Sequence, residues 1–178
     1  MNNKIIIFFG IVITVMLVRL DFKTDSLNNR VDQLEDIIIR TNHNIKYTKN
    51  DIDCLARNIY YEAGNEADTG KYAVAHVTLN RVKSNYWGDT ICQVVYSRAQ
   101  FSWTLKKKLP RPDAELYARC HSIAVASLKG IGVKGLERSL FYHAVYIKTP
   151  NWVDNNHRTK QIGEHIFYNR AKGSNLYI

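Results

Sequence analysis

At 178 residues the chain has room for one modest globular domain and an appendage, and an apolar fraction of 46% is enough to bury a core. Its 25 Lys and Arg against 16 Asp and Glu leave a formal charge of +9, which favours an anionic partner: nucleic acid, a membrane surface or an acidic wall polymer. There is no zinc-finger spacing, P-loop, dinucleotide fingerprint or internal repeat, so nucleotide-binding, metal-finger and solenoid classes drop out.

The N-terminus is sharply biased. "MNNK" leads into the apolar run "IIIFFGIVITVMLV", residues 5–18, which is shorter than the ~20 residues of an ordinary span. No small-x-small cleavage site follows, so the run predicts an uncleaved signal-anchor over residues 1–20 rather than a removed signal. Lys4 on the cytoplasmic side would send the remainder outward, although Arg19 and Lys23 oppose that orientation. Across residues 20–40, Leu20, Leu27 and Leu34 recur every seventh position, with Val31 and Ile38 on the second seam. Residues 21–49 therefore read as a helical stalk and linker. The stalk either pairs two chains into a homodimer through residues 20–40 or packs as an amphipathic helix on its own domain.

Residues 50–178 read as the main domain. Asp51 or Asp53 can cap a helix running to about Ala63, with Leu55, Ile59 and Glu62 on one side. "GNEADTG" is a turn. Thr69 can cap a second helix whose Val74, Val77 and Val82 face a core and which "NYWGDT" ends. "ICQVVY" is a strand or one buried helical turn, and "SRAQFSWT" a loop. A further helix runs from near Pro112 to Gly130. "SLFYHAVYI" and "HIFYN" carry the β-branched and aromatic residues of strands. The sum is a helix-rich α+β domain. Cys54, Cys92 and Cys120 are too few and too irregular for a metal site; one pair can be bridged in an oxidising compartment, and the spacing does not choose which.

The chemistry centres on Glu62. A carboxyl beside an apolar helix face is desolvated, its pKa rises, and the retained proton suits a general acid of the kind lysozyme-like glycosidases use. The bland alternative is a solvated or ion-paired helix residue. Glu66 and Asp68 stand in the following turn, where helix starts commonly carry acids. "QFSWT" supplies Gln100, Phe101, Ser102 and Trp103, and "FYHA" supplies Tyr142 and His143. Aromatic faces stack on sugar rings and amides bond hydroxyl or acetamido groups, whereas a core role for Phe101 and Trp103 and a structural one for His143 are the ordinary readings. With Tyr61, Trp152 and Tyr168, aromatics with polar tips exceed what a core of this size favours.

Four ordered blocks, "CLARNIYYEAGNEADTGKYAVAHVTLNRV", "TICQVVY", "QFSWT" and "SLFYHAVYIKTPNWVDNNHRTKQIGEHIFYN", together resemble the cell-wall hydrolases of the spore cortex-lytic type (SleB/CwlJ-like) over residues 51–169. The resemblance implies a lysozyme- and lytic-transglycosylase-like fold that cleaves peptidoglycan. It implies that Glu62 is the catalytic acid and that Tyr61, Glu66, Gln100, Phe101, Ser102, Trp103, Tyr142 and His143 line the glycan groove. One departure is that Gly64-Asn65 follows "EA" where the family often has Arg-Gly, which bears on the shape of the turn.

The resulting expectation is a membrane-anchored, extracytoplasmic glycosidase acting without metal or cofactor on the β-1,4 bond between N-acetylmuramic acid and N-acetylglucosamine. A lytic transglycosylase is favoured over a hydrolase, because no second acid stands out as Glu62 does. Delivery of a wall-cleaving enzyme by an anchor suits phage lysis of a two-membrane host. The rivals are an N-acetylmuramoyl-L-alanine amidase and a non-catalytic wall-binding protein. Against the zinc amidase stand the lack of HExxH and the loose spacing of His143, His157 and His165. A nucleic-acid partner is not expected, since the basic residues are dispersed and the chain reads as exported.

Overall fold

The computed structural model describes residues 16, 17, 19–34 and 47–170, and the chain divides into two units, residues 1–46 and 47–178. In the first unit residues 19–34 are helical, and Leu20, Leu27, Val31 and Leu34 are each more than half exposed. Ile38 and nearly all of the apolar run at 5–18 lie outside the described residues. Among those that are described, no helix is long and apolar enough to cross a membrane.

The second unit is built around helix α1, Lys49–Ala63, which contacts each of the three other helices. Its cap lies earlier than the sequence suggests. Thr48 accepts the Asp51 N–H at 3.1 Å and donates its own N–H to the Asp51 carboxylate at 3.2 Å. Asp51 is thus the third helical residue of a capping box rather than the cap. Helix α2, Asp68–Ser84, begins without a side-chain cap after Ala67, not at Thr69, and stops where Asn85 turns left-handed at φ 58°. "ICQVVY" resolves into a short helix, α3 (Ile91–Tyr96), with a Thr90–Gln93 capping box. A 3-10 turn, Ser102–Leu105, takes up the end of the expected loop. Helix α4, Ala114–Leu128, starts two residues after Pro112 because the Asp113 carboxylate accepts the Leu116 N–H at 2.9 Å.

Three antiparallel strands follow: β1 (Ser139–Ala144), β2 (Arg158–Ile162) and β3 (His165–Asn169), in the order β1-β3-β2. The central strand is "HIFYN". Strand β2, "RTKQI", escapes sequence reading because it is a mostly exposed edge strand with a single apolar residue. The sheet meets α2 through Phe167 and Ile162, which pack with Leu136 from the turn before β1 on Ala73 and Val77. Leu55, Ile59, Val74, Val94 and Val95 are fully buried, while Val82 is only half-buried. A Cys54–Cys92 disulfide ties α1 to α3, leaving Cys120 as a buried thiol, so the pairing that spacing left open is settled.

Candidate active site

Glu62 lies one turn beyond Ile59 and two beyond Leu55, so helical phase carries it along the buried side of α1 to the point where the helix ends. There it meets Tyr142 from β1, whose hydroxyl donates to Oε2 at 3.0 Å. Burial pushes the Glu62 carboxyl above the usual range. The Tyr142 hydrogen bond, then the Arg81 and Lys106 charges, pull it back without cancelling the rise. The Tyr142 hydroxyl is itself pushed well above its ordinary value by burial and by the Glu62 carboxylate, so it stays a donor.

Arg81 is the residue the sequence reading passed over. Its side chain is buried, with the guanidinium between the rings of Trp87 and Phe101 at 5.1 and 5.0 Å. Its Nε donates to the Leu140 carbonyl at 2.8 Å, which fixes it beneath β1. Burial lowers its pKa, and the nearby Tyr142 and Glu62 oppose that. A signal was present: Arg81 stands seven residues after Val74 and four after Val77, on the phase of the core valines. A cation on that phase is a buried cation and needs a reason.

Two adjoining cavities meet at Glu62. Both are lined by Tyr61, Glu62, Tyr146 and His165. The first continues along the α1–α2 turn to Pro110 and Glu164. The second continues past Gln100, Ser102 and His143 to Trp152. A groove with a desolvated acid at its midpoint suits a linear polymer cut internally. Tyr146, 74% exposed, presents an unburied ring where the halves join.

The other expected site residues fall into three groups. Tyr142, Gln100, Ser102 and His143 line the second cavity. His143 is held by its Nδ1 at 2.9 Å from the Ala144 carbonyl and its Nε2 at 3.0 Å from the Tyr168 hydroxyl. A carbonyl only accepts, so Nδ1 carries the proton and Nε2 accepts from Tyr168. Phe101 and Trp103 are buried, at 2% and 3% exposure, and neither lines the groove. Trp103 acts from behind: its ring stacks on Tyr61 at 4.8 Å, and its Nε1 donates to Asn58 at 2.9 Å. Tyr61 lines both cavities and donates its hydroxyl to the Pro110 carbonyl at 3.1 Å.

Glu66 forms the third group. Its Oε1 accepts the Glu164 N–H at 2.9 Å and lies 3.3 Å from His165 Nδ1, without the alignment of a hydrogen bond. Burial lowers the His165 pKa and the Glu66 carboxylate opposes this. Glu66 thereby clamps the α1–α2 turn onto the β2–β3 turn. Asp68, the other acid of that turn, pairs with Arg119 on α4. Among the described residues, no group of three His, Cys, Asp or Glu side chains is placed to hold a metal ion.

Comparison with known proteins places this groove in company. The sequence model of the cell wall hydrolase family matches residues 65–168, a segment that opens three residues after Glu62. The spore cortex-lytic enzyme of Oceanobacillus iheyensis is 30% identical over 121 residues, covering 68% of this chain and 42% of that protein. The spore cortex-lytic enzyme of Bacillus subtilis is 30% identical over 123 residues, covering 68% and 38%. The chain thus spans about two fifths of the length of the curated relatives it matches. Among solved structures, the catalytic domain of the Bacillus cereus SleB protein is similar at a TM-score of 0.59 and 27% identity, covering 68% of this chain and 91% of that one. The catalytic domain of the germination-specific lytic transglycosylase SleB from Bacillus anthracis is similar at 0.53 and 27%, covering 68% and 96%.

Proposed function

The chain belongs to the cell wall hydrolase family, and from that premise we propose that it is a lytic transglycosylase cutting the β-1,4 bond between N-acetylmuramic acid and N-acetylglucosamine, with Glu62 as its one acid. The observation that carries the reading is the position of Glu62: a carboxyl with a raised pKa at the junction of two halves of one groove. Protonated Glu62 gives its proton to the bridging oxygen, and the bond to the muramic C1 breaks. The carboxylate then left is the form that the Tyr142 hydroxyl and the Arg81 charge favour. It takes the proton of the muramic 6-hydroxyl as that oxygen closes on C1, giving a 1,6-anhydro end and restoring the acid.

Hydrolysis would need a carboxylate set to activate water; in inverting enzymes it stands about 6.5–9.5 Å across the bond. Glu66 and Glu164 are the other carboxylates among the described groove residues, and Glu66 already holds the Glu164 N–H and faces His165. That engagement supports the single-acid route. The test is mass spectrometry of muropeptides released from purified peptidoglycan. Anhydro ends, lighter than hydrolysed ends by one water, support the proposal; reducing ends at muramic acid would make the enzyme a muramidase. A folded Glu62→Gln protein should release ~10²–10⁴-fold less, and near-normal release would overturn the role of Glu62.

The domain is placed by this reading outside the cytoplasm, held at the membrane by residues 5–18, an arrangement that suits a phage lysis enzyme. The Cys54–Cys92 disulfide supports an oxidising compartment. The exposed seam of Leu20, Leu27 and Leu34 supports pairing of two chains along residues 20–40. Recovery of a form lacking the first 19 residues would overturn the anchor, and failure of Leu27→Cys chains to cross-link would overturn the pairing.

A further inference from the structure

The segment between the 3-10 turn and α4 carries Lys106, Lys107, Lys108 and Arg111, and its one acid is Asp113 at the far end, the cap of α4. All four side chains are exposed, and none forms an ion pair with a described residue. Like charges on successive residues repel one another. Part of a charge run is ordinarily just a solvated face, so the position of this one decides its meaning.

The segment is pinned along the groove. At one end the Lys106 N–H closes the 3-10 turn on the Trp103 carbonyl at 3.2 Å, and Leu105 lines the second cavity. At the other end Pro110 lines the first cavity and accepts the Tyr61 hydroxyl at 3.1 Å. The Asp113 N–H then donates to the Tyr60 hydroxyl at 2.9 Å. Both anchoring tyrosines immediately precede Glu62 in the chain. The lysines therefore sit on a strap that passes Glu62 and spans the two halves of the groove, and the Lys106 charge is felt at the Glu62 carboxyl.

A glycan strand of alternating N-acetylglucosamine and peptide-substituted muramic acid carries no charge of its own. Its negative charges are the carboxylates of the peptides hanging from the lactyl groups, which stand out from the glycan. We infer that the Lys106–Lys108 strap is a specificity element that pairs with stem-peptide carboxylates flanking the scissile bond, so that the enzyme selects peptide-bearing, acidic strands. This rests on the proposed glycan-cleaving function. It adds the reader of the substrate's charge to a groove whose own interior carries the carboxylates Glu62, Glu66 and Glu164.

The probe is a pair of soluble peptidoglycan fragments, one with free stem-peptide carboxylates and one with those carboxylates converted to methylamides. Cleavage of each by the full chain and by the triple variant Lys106→Gln, Lys107→Gln, Lys108→Gln is measured at low and at high salt. Binding of each to Glu62→Gln protein, with and without the triple change, is measured in parallel by calorimetry. The full chain should prefer the free carboxylates by about three- to tenfold in KM, the range that a few exposed ion pairs supply. High salt should shrink the preference, and the triple variant should abolish it. A preference that survives the triple variant, or no preference in the parent, overturns the inference. Loss of binding to phosphatidylglycerol vesicles with the fragment preference intact overturns it in favour of a membrane surface. Fragment binding that shows the preference without cleavage supports the strap and overturns the proposed function. Cleavage without the preference does the reverse.

Discussion

Asn58 should be the residue that couples stability to the site. It is fully buried at the middle of α1, donates to the Thr78 hydroxyl on α2 at 3.0 Å, and accepts from Trp103 Nε1 at 2.9 Å. Leucine in its place keeps the branched outline, is somewhat larger, and removes both bonds. The Trp103 N–H is then a buried donor with no acceptor, a cost of about 1–3 kcal/mol. Thr78 keeps its own donation to the Val74 carbonyl at 2.9 Å and loses only an accepted bond, about 0.5–1.5 kcal/mol. The expected loss is therefore about 2–4 kcal/mol, a large part of the ~5–15 kcal/mol that holds a domain folded. Urea denaturation measures it. Trp103→Phe removes the orphaned donor, so in a double-mutant cycle the paired change should cost about 1–2 kcal/mol less than the two single changes summed. An Asn58→Leu protein within about 0.5 kcal/mol of the parent, or a cycle with no coupling, would refute the reasoning. The Trp103 ring backs Tyr61, so the folded fraction of Asn58→Leu should also cleave more slowly.

Glu62→Gln should be more thermostable than the parent at neutral pH. The native state holds the Glu62 proton above the ordinary value of 4.5, so stability falls as pH rises from that value through the raised one, and the amide escapes the loss. Equal midpoints at pH 7 would count against a desolvated acid. Tyr142→Phe removes a bond that favours the carboxylate, so the high-pH limb of the activity profile should move upward while the maximal rate falls; an unmoved limb in muropeptide release assays would deny the contact a role. Gly163→Ala should destabilise by more than about 1 kcal/mol, because the residue is left-handed at φ +54° and a Cβ would clash with the Glu66 carboxylate. Gly135→Ala, left-handed but with nothing within 4 Å, should cost less, and equal costs in denaturation curves would mean that the Glu66 clamp is slack.

Much of this architecture was legible where one residue type solves one local problem. Helical phase located Glu62, and the strands of "SLFYHAVYI" and "HIFYN" followed from their composition, although the first ends at Ala144. The caps were harder because several residues compete for one role: Thr48, Asp51 and Asp53 can each accept an N–H, and only the packed helix selects Thr48. Strand β2 was invisible because an exposed edge strand owes its place to its partner, not to its own side chains. "QFSWT" shows the limit at the site. Its residues alternate between groove and core, so Gln100 and Ser102 reach the cavity that Phe101 and Trp103 support from beneath. The sequence marks the segment but not which member of it meets solvent. Arg81 was legible by phase and passed over by residue type, since an arginine in a helix is ordinarily outside.

Under the proposed route the Glu62 carboxyl has two jobs, and the groups around it fit both. Burial alone raises a carboxyl pKa, and a general acid works best when that pKa lies near the working pH. Here burial is opposed by the Tyr142 hydroxyl at 3.0 Å, by Arg81 fixed beneath the strand and by Lys106 on the strap. Each favours the carboxylate, the form that the proposed route needs between bond cleavage and ring closure. Tyr142 can fill this role because its own proton is held tightly, so it donates to Glu62 without competing as an acid. Arg81 can fill it because the Leu140 carbonyl and two aromatic faces hold its charge in place when Glu62 is neutral. The opposition of burial and donors leaves an acid with a raised pKa whose carboxylate form is also favoured by its neighbours, which suits the giving and taking back of a proton in the proposed single-carboxylate cycle.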